Sequence, residues 1–379
     1  MRNTTITIDT NALAHNLNII TEQTHINAKP AKVLAMVKAN AYGHGVANVI
    51  AGLAKADGFG VACFDEALDV KKACQAHGLS QPIVLIEGVF SKTEWQNTIT
   101  QNFMSLIHCE AQLNWALQHL PPQDSHTRTV WLKYNTGMNR LGFDAEQATI
   151  AAQKLHQAGY RLILTSHFAC ADDEHALNAV QIARFDELLH SLRQTVSPDV
   201  QGSLCNSAGI FNFPNQHHNW VRAGIALYGS SPFANRSAHA LNLRPVMTFG
   251  AQIMAVHELN AGESVSYGAL WQADKSAFIG IVSAGYGDGY PRVVENGEVL
   301  VVLNGAAHRA PIIGRVAMDM LAVDLSAFDD KTALLHAPVI LWGAQANAVL
   351  SIDDVARTAN TIGYELMCRT TMRPVRNVI

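Results

Sequence analysis

The sequence predicts an α/β chain: a (β/α)8 barrel over residues 9–234, then a mainly β domain over 235–379 that also takes up an N-terminal strand at 2–8. Three observations predict it. Eight short apolar, β-branched runs alternate with helical patterns over the first two-thirds. The polar stretch Asn235–Arg244 interrupts that rhythm. Beyond it, strand-like runs are separated by glycine-containing turns, which is the order of a barrel followed by a separate β unit.

In chain order, Leu13, Leu17 and Ile20 share one face of a helix ahead of the first barrel strand. The eight strand candidates are Val33–Val37, Phe59–Cys63, Ile83–Ile86, Met104–Ile107, Val130–Leu132, Leu162–Leu164, Gly202–Leu204 and Trp220–Val221. Between the second and third, a helix carrying Leu68 and Cys74 is expected to start at an Asp65 N-cap and to stop at Gly78. Ala176–Gln194 is a longer helix, with Val180, Ala183, Leu188 and Leu192 near helical spacing. A doubly wound sheet is the weaker alternative, because the first strand–helix turn lacks the glycine fingerprint. In the second unit, Val246–Val256, Ala277–Val282, Val299–Leu303, Arg309–Leu325 and Pro338–Trp342 read as strands. Ser351 is placed to cap a helix over Ile352–Ala359.

Composition excludes several function classes. With 27 basic and 31 acidic residues interspersed and a net charge of −4, no basic stripe points to nucleic acid. The six cysteines form no CxxC pair, so neither a structural zinc site nor a disulfide framework is expected, and reduced thiols suit a cytoplasmic protein. The polar N-terminus has no apolar core of a secretion signal, and no run is long enough to span a membrane. His217 and His218 are adjacent, which cannot imitate i,i+4 metal ligation, and read as a surface loop; no metal site is expected.

Chemistry in such a barrel sits where strands run into the following loops. Those positions carry Lys38 after strand one, Lys133 and Arg140 after strand five, His167 after strand six, Ser207 after strand seven, and Arg222 with Gly224 and Ile225 at strand eight. The loops after strands seven and eight are the usual phosphate site of this fold. A serine hydroxyl and a glycine that lets backbone N–H groups approach an anion suit that use. A lysine facing them across the mouth suggests covalent attachment of pyridoxal 5′-phosphate. Taken singly, a strand-end lysine is more often a solvated charge and a Ser-Ala-Gly more often a turn. Five polar strand ends converging on one face favour a site.

These segments resemble bacterial alanine racemases. The likeness runs in order through Ala35–Gly45 (AMVKANAYGHG), Lys133–Gly142 (KYNTGMNRLG), Ser166–Ala169, Asn206–Ala208 and Val221–Gly229 (VRAGIALYG). It continues through Val265–Gly268 (VSYG), Gly285–Arg292 (GYGDGYPR), Gly314–Met320 (GRVAMDM) and Gly363–Cys368 (GYELMC). The resemblance implies a cytoplasmic homodimer that interconverts L- and D-alanine with pyridoxal 5′-phosphate, for cell-wall precursor supply or alanine catabolism. Lys38 would hold the cofactor and act as base on one face of the substrate. Tyr267, donated by the partner's β domain, would act on the other, with His167 beside it. Arg222 would meet the pyridine nitrogen, and Tyr42, Ser207, Gly224 and Ile225 the phosphate. Arg140 and the backbone N–H of Met318 would bind the substrate carboxylate. Lys133 is carbamylated in some relatives and there orients the arginine; here either a modified Lys133 or an inorganic anion would serve Arg140. Tyr286, Arg292 and Asp319 would support the site, the first two along a narrow access channel.

Two departures stand out. In the implied register, Met372 replaces a tyrosine that touches phosphate in relatives, and Asn135 replaces an aspartate. Competing readings are a broader amino-acid racemase, a decarboxylase of the same plan, and a non-catalytic cofactor-binding barrel. Relatives that decarboxylate carry an interface cysteine where this chain has Ala317, and the non-catalytic barrels lack the domain bearing Tyr267.

Overall fold

The computed structural model describes residues 3–25 and 30–379, so residue 2 of the expected first strand lies outside the described residues. Strand β1 (Thr5–Ile8) is followed by the helix Thr10–Thr24, which Asp9 caps by accepting from Asn11 and Ala12 N–H. Leu13, Leu17 and Ile20 are buried on its inner face, as their spacing requires. Next come β2 (Lys32–Met36), β3 (Gly58–Val61), β4 (Ile83–Leu85), β5 (Met104–Ile107), β6 (Thr129–Lys133), β7 (Arg161–Thr165), β8 (Gln201–Ser203) and β9 (Trp220–Ala223). These eight form a parallel sheet in the order β8-β7-β6-β5-β4-β3-β2-β9. Asn219 N–H on the Gly202 carbonyl (3.0 Å) and Arg222 N–H on that of Cys205 (2.9 Å) join the last strand to β8 and close the barrel. Strands such as β3, β4 and β5 are buried at every residue, which is why they read as continuous apolar runs rather than alternating ones.

The remaining strands are β10 (Met247–Leu259), β11 (Ser264–Val265), β12 (Trp271–Gln272), β13 (Ala277–Val282), β14 (Glu298–Leu303), β15 (Ala306–Ile313), β16 (Leu321–Asp324), β17 (Pro338–Gln345), β18 (Ala348–Leu350) and β19 (Val375–Val378). Because β17 pairs with both β14 and β10, the strands β10, β13, β16, β15, β14 and β17 close into a second, antiparallel barrel. The two ends of the chain add to its edge: β1 lies antiparallel to β10 and parallel to β19. One contiguous apolar core runs through both barrels.

Local expectations needed correction at three places. Cys63, not Asp65, is the N-cap of the helix Phe64–Ala76, and Asp65 sits in its first turn, where its charge still favours the helix. The expected strand Arg309–Leu325 is two strands with a loop between them, entered through Gly314 at φ +64°. His217 is buried, its Nε2 2.8 Å from the Ile210 carbonyl, and does not lie on a surface loop. The helix Ile352–Thr358 starts where expected, with the Ser351 hydroxyl accepting from Asp353 N–H.

Candidate active site

The carboxyl ends of the barrel strands open into one cavity of about 660 Å3. Lys38, Tyr42, Lys133, Arg140, His167, Ser207, Arg222, Gly224 and Ile225, drawn from loops one, five, six, seven and eight, all line it.

Lys38 opens a turn of unusual hand. Ala39, Asn40, Ala41 and Tyr42 have φ of 52, 51, 55 and 52°, four consecutive non-glycine residues in the left-handed region. Each costs about 1–2 kcal/mol, so the turn must be held from outside. His44, fully buried, lies 3.0 Å from the Ala41 and Tyr42 carbonyls through Nδ1, and Asn40 Oδ1 accepts from Val46 N–H. Burial drops the His44 pKa to about 4, so the ring is neutral and donates from Nδ1. At Gly43 a Cβ would lie 2.1 Å from the Met367 carbonyl; only glycine lets the turn approach the C-terminal helix Gly363–Cys368.

Loops seven and eight build a pocket for an oxyanion. The Ser207 hydroxyl accepts from Gly224 N–H at 2.9 Å, which leaves its own hydrogen free to donate. A Cβ at Gly224 would stand 2.5 Å from the Tyr42 hydroxyl, so the tyrosine oxygen, serine and glycine crowd around one small space. The Tyr42 ring stacks on Tyr228 at 4.8 Å, and burial pushes its hydroxyl well above the ordinary value, keeping it a donor. Convergent hydroxyl and backbone N–H donors fit the phosphate of pyridoxal phosphate.

Opposite them, Arg222 is buried and fully oriented. One terminal nitrogen donates to the Ser203 carbonyl (2.9 Å) and hydroxyl (2.6 Å). The other donates to the Ser166 (2.5 Å) and Leu204 (3.0 Å) carbonyls and lies 3.3 Å from His167 Nδ1. Among the described residues Nε–H meets no acceptor, so it is free for a ligand. Burial lowers the Arg222 pKa to about 10, still charged at neutrality. His167 is held well below its ordinary pKa by burial first, then by Arg222, Lys133, Arg140 and Lys38. Its Nδ1 therefore accepts from Arg222. Lys133 is likewise held well below the usual lysine range by burial and by Arg222 and Arg140. In the loop carrying Arg140, Asn135 Oδ1 accepts from Gly137 (3.1 Å) and Asn139 (3.0 Å) N–H, as an aspartate could. Its amide also donates to Asn139 Oδ1 (3.0 Å), which an aspartate could not.

The structure does not bring Tyr267, Tyr286, Arg292, Met318 or Asp319 into this cavity. They sit on the second barrel, where Tyr267 is 72 % and Met318 53 % exposed. Their three loops are tied together: the Ser266 hydroxyl donates to the Arg315 carbonyl (2.6 Å), Tyr286 N–H to Ala317 (3.1 Å) and Gly287 N–H to Met318 (2.8 Å). Arg373 bonds Asp319 at 2.6 Å and pairs with the buried Asp288 at 3.5 Å. Among the cavity residues missed from sequence are Tyr364 and Cys368, both on the helix Gly363–Cys368. The Tyr364 ring lies 6.2 Å from Tyr42, whereas Met372 is 82 % exposed and outside the cavity. The expected loss of a phosphate tyrosine at Met372 is therefore corrected: Tyr364 is the second tyrosine beside the phosphate pocket.

A lysine, a neutral histidine and an oriented arginine around an oxyanion pocket at a barrel mouth define an enzyme of the phosphate-cofactor barrel class. Family models for the alanine racemase N-terminal and C-terminal domains match residues 8–232 and 246–378. An alanine racemase of Psychrobacter sp. (strain PRwf-1) is 51 % identical over the full length of both chains. The solved alanine racemase of Acinetobacter baumannii superposes with a TM-score of 0.89 at 42 % identity, each chain fully covered. That of Bartonella henselae, solved with covalently bound pyridoxal phosphate, gives 0.84 at 26 %, again with both chains covered. The chain belongs to the alanine racemase family, a family of isomerases.

Proposed function

We propose that the protein interconverts L- and D-alanine in the cytoplasm as a homodimer, with pyridoxal 5′-phosphate on Lys38 and a second base, Tyr267, from the partner subunit. The observation that carries this reading is a divided constellation. Lys38 faces the oxyanion pocket within one chain, while Tyr267 and Met318 stand exposed on loops outside their own cavity. The Met318 N–H also meets no acceptor among the described residues, as a ligand for a carboxylate across an interface should not.

When bound, pyridoxal phosphate withdraws electrons from the substrate Cα, so that its hydrogen can leave as a proton. Tyr42, Tyr364, Ser207 and the Ile225 N–H would hold the phosphate, Gly224 admitting it by its lack of a side chain while its own N–H is bonded to Ser207, and Arg222 Nε–H would donate to the ring nitrogen. A guanidinium keeps its proton, so the ring nitrogen of a bound cofactor would stay unprotonated and the ring would withdraw electrons more weakly, which would limit side reactions. Arg140 and Met318 N–H hold the alanine carboxylate, and Lys133, once carbamylated, orients Arg140. Lys38 Nζ takes the α-proton from D-alanine on one face, and the Tyr267 hydroxyl takes it from L-alanine on the other. Tyr286, Arg292 and Asp319 shape the approach to that face.

Mixing Lys38→Ala and Tyr267→Phe variants, each nearly inactive, tests the arrangement. Subunit exchange should restore up to about a quarter of the wild-type activity by chiral analysis of alanine, because only heterodimers hold one intact site of two. No recovery, with exchange demonstrated, would place Tyr267 in its own chain's site.

A further inference from the structure

At the cavity mouth, the eight strand–helix loops are braced in neighbouring pairs, each pair by a side chain that bonds to both loops. Gln112 accepts from His108 N–H (2.8 Å) in loop four and donates to the Glu87 (3.3 Å) and Val89 (3.0 Å) carbonyls of loop three. Gln181 accepts from Ala169 N–H (2.9 Å) and donates to the His167 carbonyl (2.9 Å) in loop six and to the Thr136 hydroxyl (2.9 Å) in loop five. Ser207 joins loops seven and eight through Gly224. For loops one and two the brace is Glu66, whose two oxygens accept from Ala39 N–H (2.7 Å) and Ala62 N–H (2.8 Å).

The residue types follow from the partners. Gln112 and Gln181 each meet donors and acceptors, which an amide satisfies; Glu66 meets two donors, which only a carboxylate satisfies with both oxygens. A helix cap explains half of this. Glu66 is the third residue of its helix, and its reach back to the N–H of Ala62, just before the Cys63 N-cap, serves the helix entry much as a capping side chain does. Glu94, third in the helix Lys92–Gln101, makes the same backward bond to Phe90 N–H (2.7 Å) and no second one among the described residues. The bond to Ala39 is therefore additional. It fixes the first residue of the left-handed turn, immediately after Lys38.

We propose that Glu66 is a positioning residue for Lys38: its second carboxylate oxygen holds the left-handed turn that sets the lysine amine against the phosphate pocket. Lys38 and Tyr42 bracket that turn, so releasing Ala39 lets their spacing relax without touching either side chain. The inference rests on the reading of Lys38 as the cofactor lysine. In Glu66→Gln one backbone N–H meets an amide N–H instead of an oxygen; in Glu66→Asp the carboxylate falls short of Ala39 while keeping its charge.

The test equilibrates full-length enzyme with a concentration series of pyridoxal phosphate, reading the visible band of covalently bound cofactor, with thermal unfolding alongside. Glu66→Gln and Glu66→Asp should each lose about tenfold or more in cofactor affinity, the scale of one hydrogen bond to a charged group. Glu94→Ala, which loses the equivalent backward bond altogether, should lower the unfolding temperature and bind cofactor as wild type does. Wild-type affinity in both Glu66 variants, or an equal loss in Glu94→Ala, would reduce Glu66 to a helix cap. Should Glu66→Gln fail to fold, Glu66→Asp decides alone. A wild-type protein that forms no bond from Lys38 to the cofactor would instead overturn the assignment of the lysine.

Discussion

Gly224→Ala should damage cofactor binding through one atom, the hydroxyl oxygen of Tyr42. A Cβ built on Gly224 lies 2.5 Å from that oxygen and 3.3 Å from the ring carbon bearing it. The first distance is nearly 1 Å inside van der Waals contact; the second is tight but tolerable. Tyr42 has little room to yield, because its ring is stacked on Tyr228 and buried. The hydroxyl must therefore swing out of the phosphate pocket, removing a hydrogen bond to an anion. Such a bond contributes about 1.5–3 kcal/mol, which corresponds to roughly a 10- to 150-fold weaker cofactor Kd. The backbone at Gly224 has φ −119° and ψ −101°, outside the regions a residue with a Cβ prefers, so thermal unfolding is read alongside to separate backbone strain from the lost phosphate contact. The assay is a cofactor titration of four proteins: wild type, Gly224→Ala, Tyr42→Phe and the double variant. With the hydroxyl already gone, the added methyl has little left to displace, and the double variant should bind only slightly worse than Tyr42→Phe. This non-additivity is the signature of a shared contact. Additive losses, or wild-type binding in Gly224→Ala, would refute the reasoning that the glycine exists to admit the tyrosine oxygen.

Lys133→Met should raise the thermal stability of the cofactor-free protein at neutral pH. The folded lysine is held well below its usual value, so the unfolded chain binds the extra proton, and the wild-type penalty shrinks as pH rises toward the ordinary 10.5; the stabilisation by methionine should shrink with it, and a gain that grows with pH would contradict the assignment. Acid should unfold the protein through its buried histidines. His44 and His218 have pKa values near 4 and His167 lies well below 6.5, all chiefly by burial, so each costs up to about 1.4 kcal/mol per pH unit as pH falls from 6.5 toward the folded values. Urea midpoints between pH 7 and 4.5 should fall, and proton NMR should show no His167 titration between pH 6.5 and 8.

The barrel was legible because parallel strands covered on both faces leave unbroken apolar runs, and because loop chemistry recurs where those runs end. Lys38, Ser207 and Arg222 could be found that way, the first two a few residues past their strands and Arg222 near the end of its own. Tyr364 could not. It reaches the cavity from a six-residue helix that is distant in sequence and docks on the first loop through the close approach of Met367 to Gly43. The GYELMC segment was the available signal, but it pointed to a motif and not to which of its side chains faces inward. The loop Gly314–Met320 was read as strand because Val316, Ala317, Met318 and Met320 are apolar; only tertiary placement separates an apolar loop from a strand. Glu66 and Gln181 show the same limit, since the loops they join are brought together by barrel closure rather than by sequence distance.

The electrostatics of the mouth explain why binding and folding should be coupled here. Lys38, Lys133, Arg140 and Arg222 share one cavity, and together with burial they hold His167 neutral. With no anion bound, that grouping of cations works against the folded state, and the depressed pKa of Lys133 is one measure of it. A phosphate at one end of the cavity and a carboxylate at the other would each relieve part of the repulsion. Ligands that bind only the folded protein add about 2.7 kcal/mol at a hundred times Kd. The same field that weakens the empty site thus selects a molecule with an anionic group at each end, which a cofactor phosphate and an amino-acid carboxylate supply together. A neutral histidine at the centre can then accept from Arg222 without adding a further charge to the cluster.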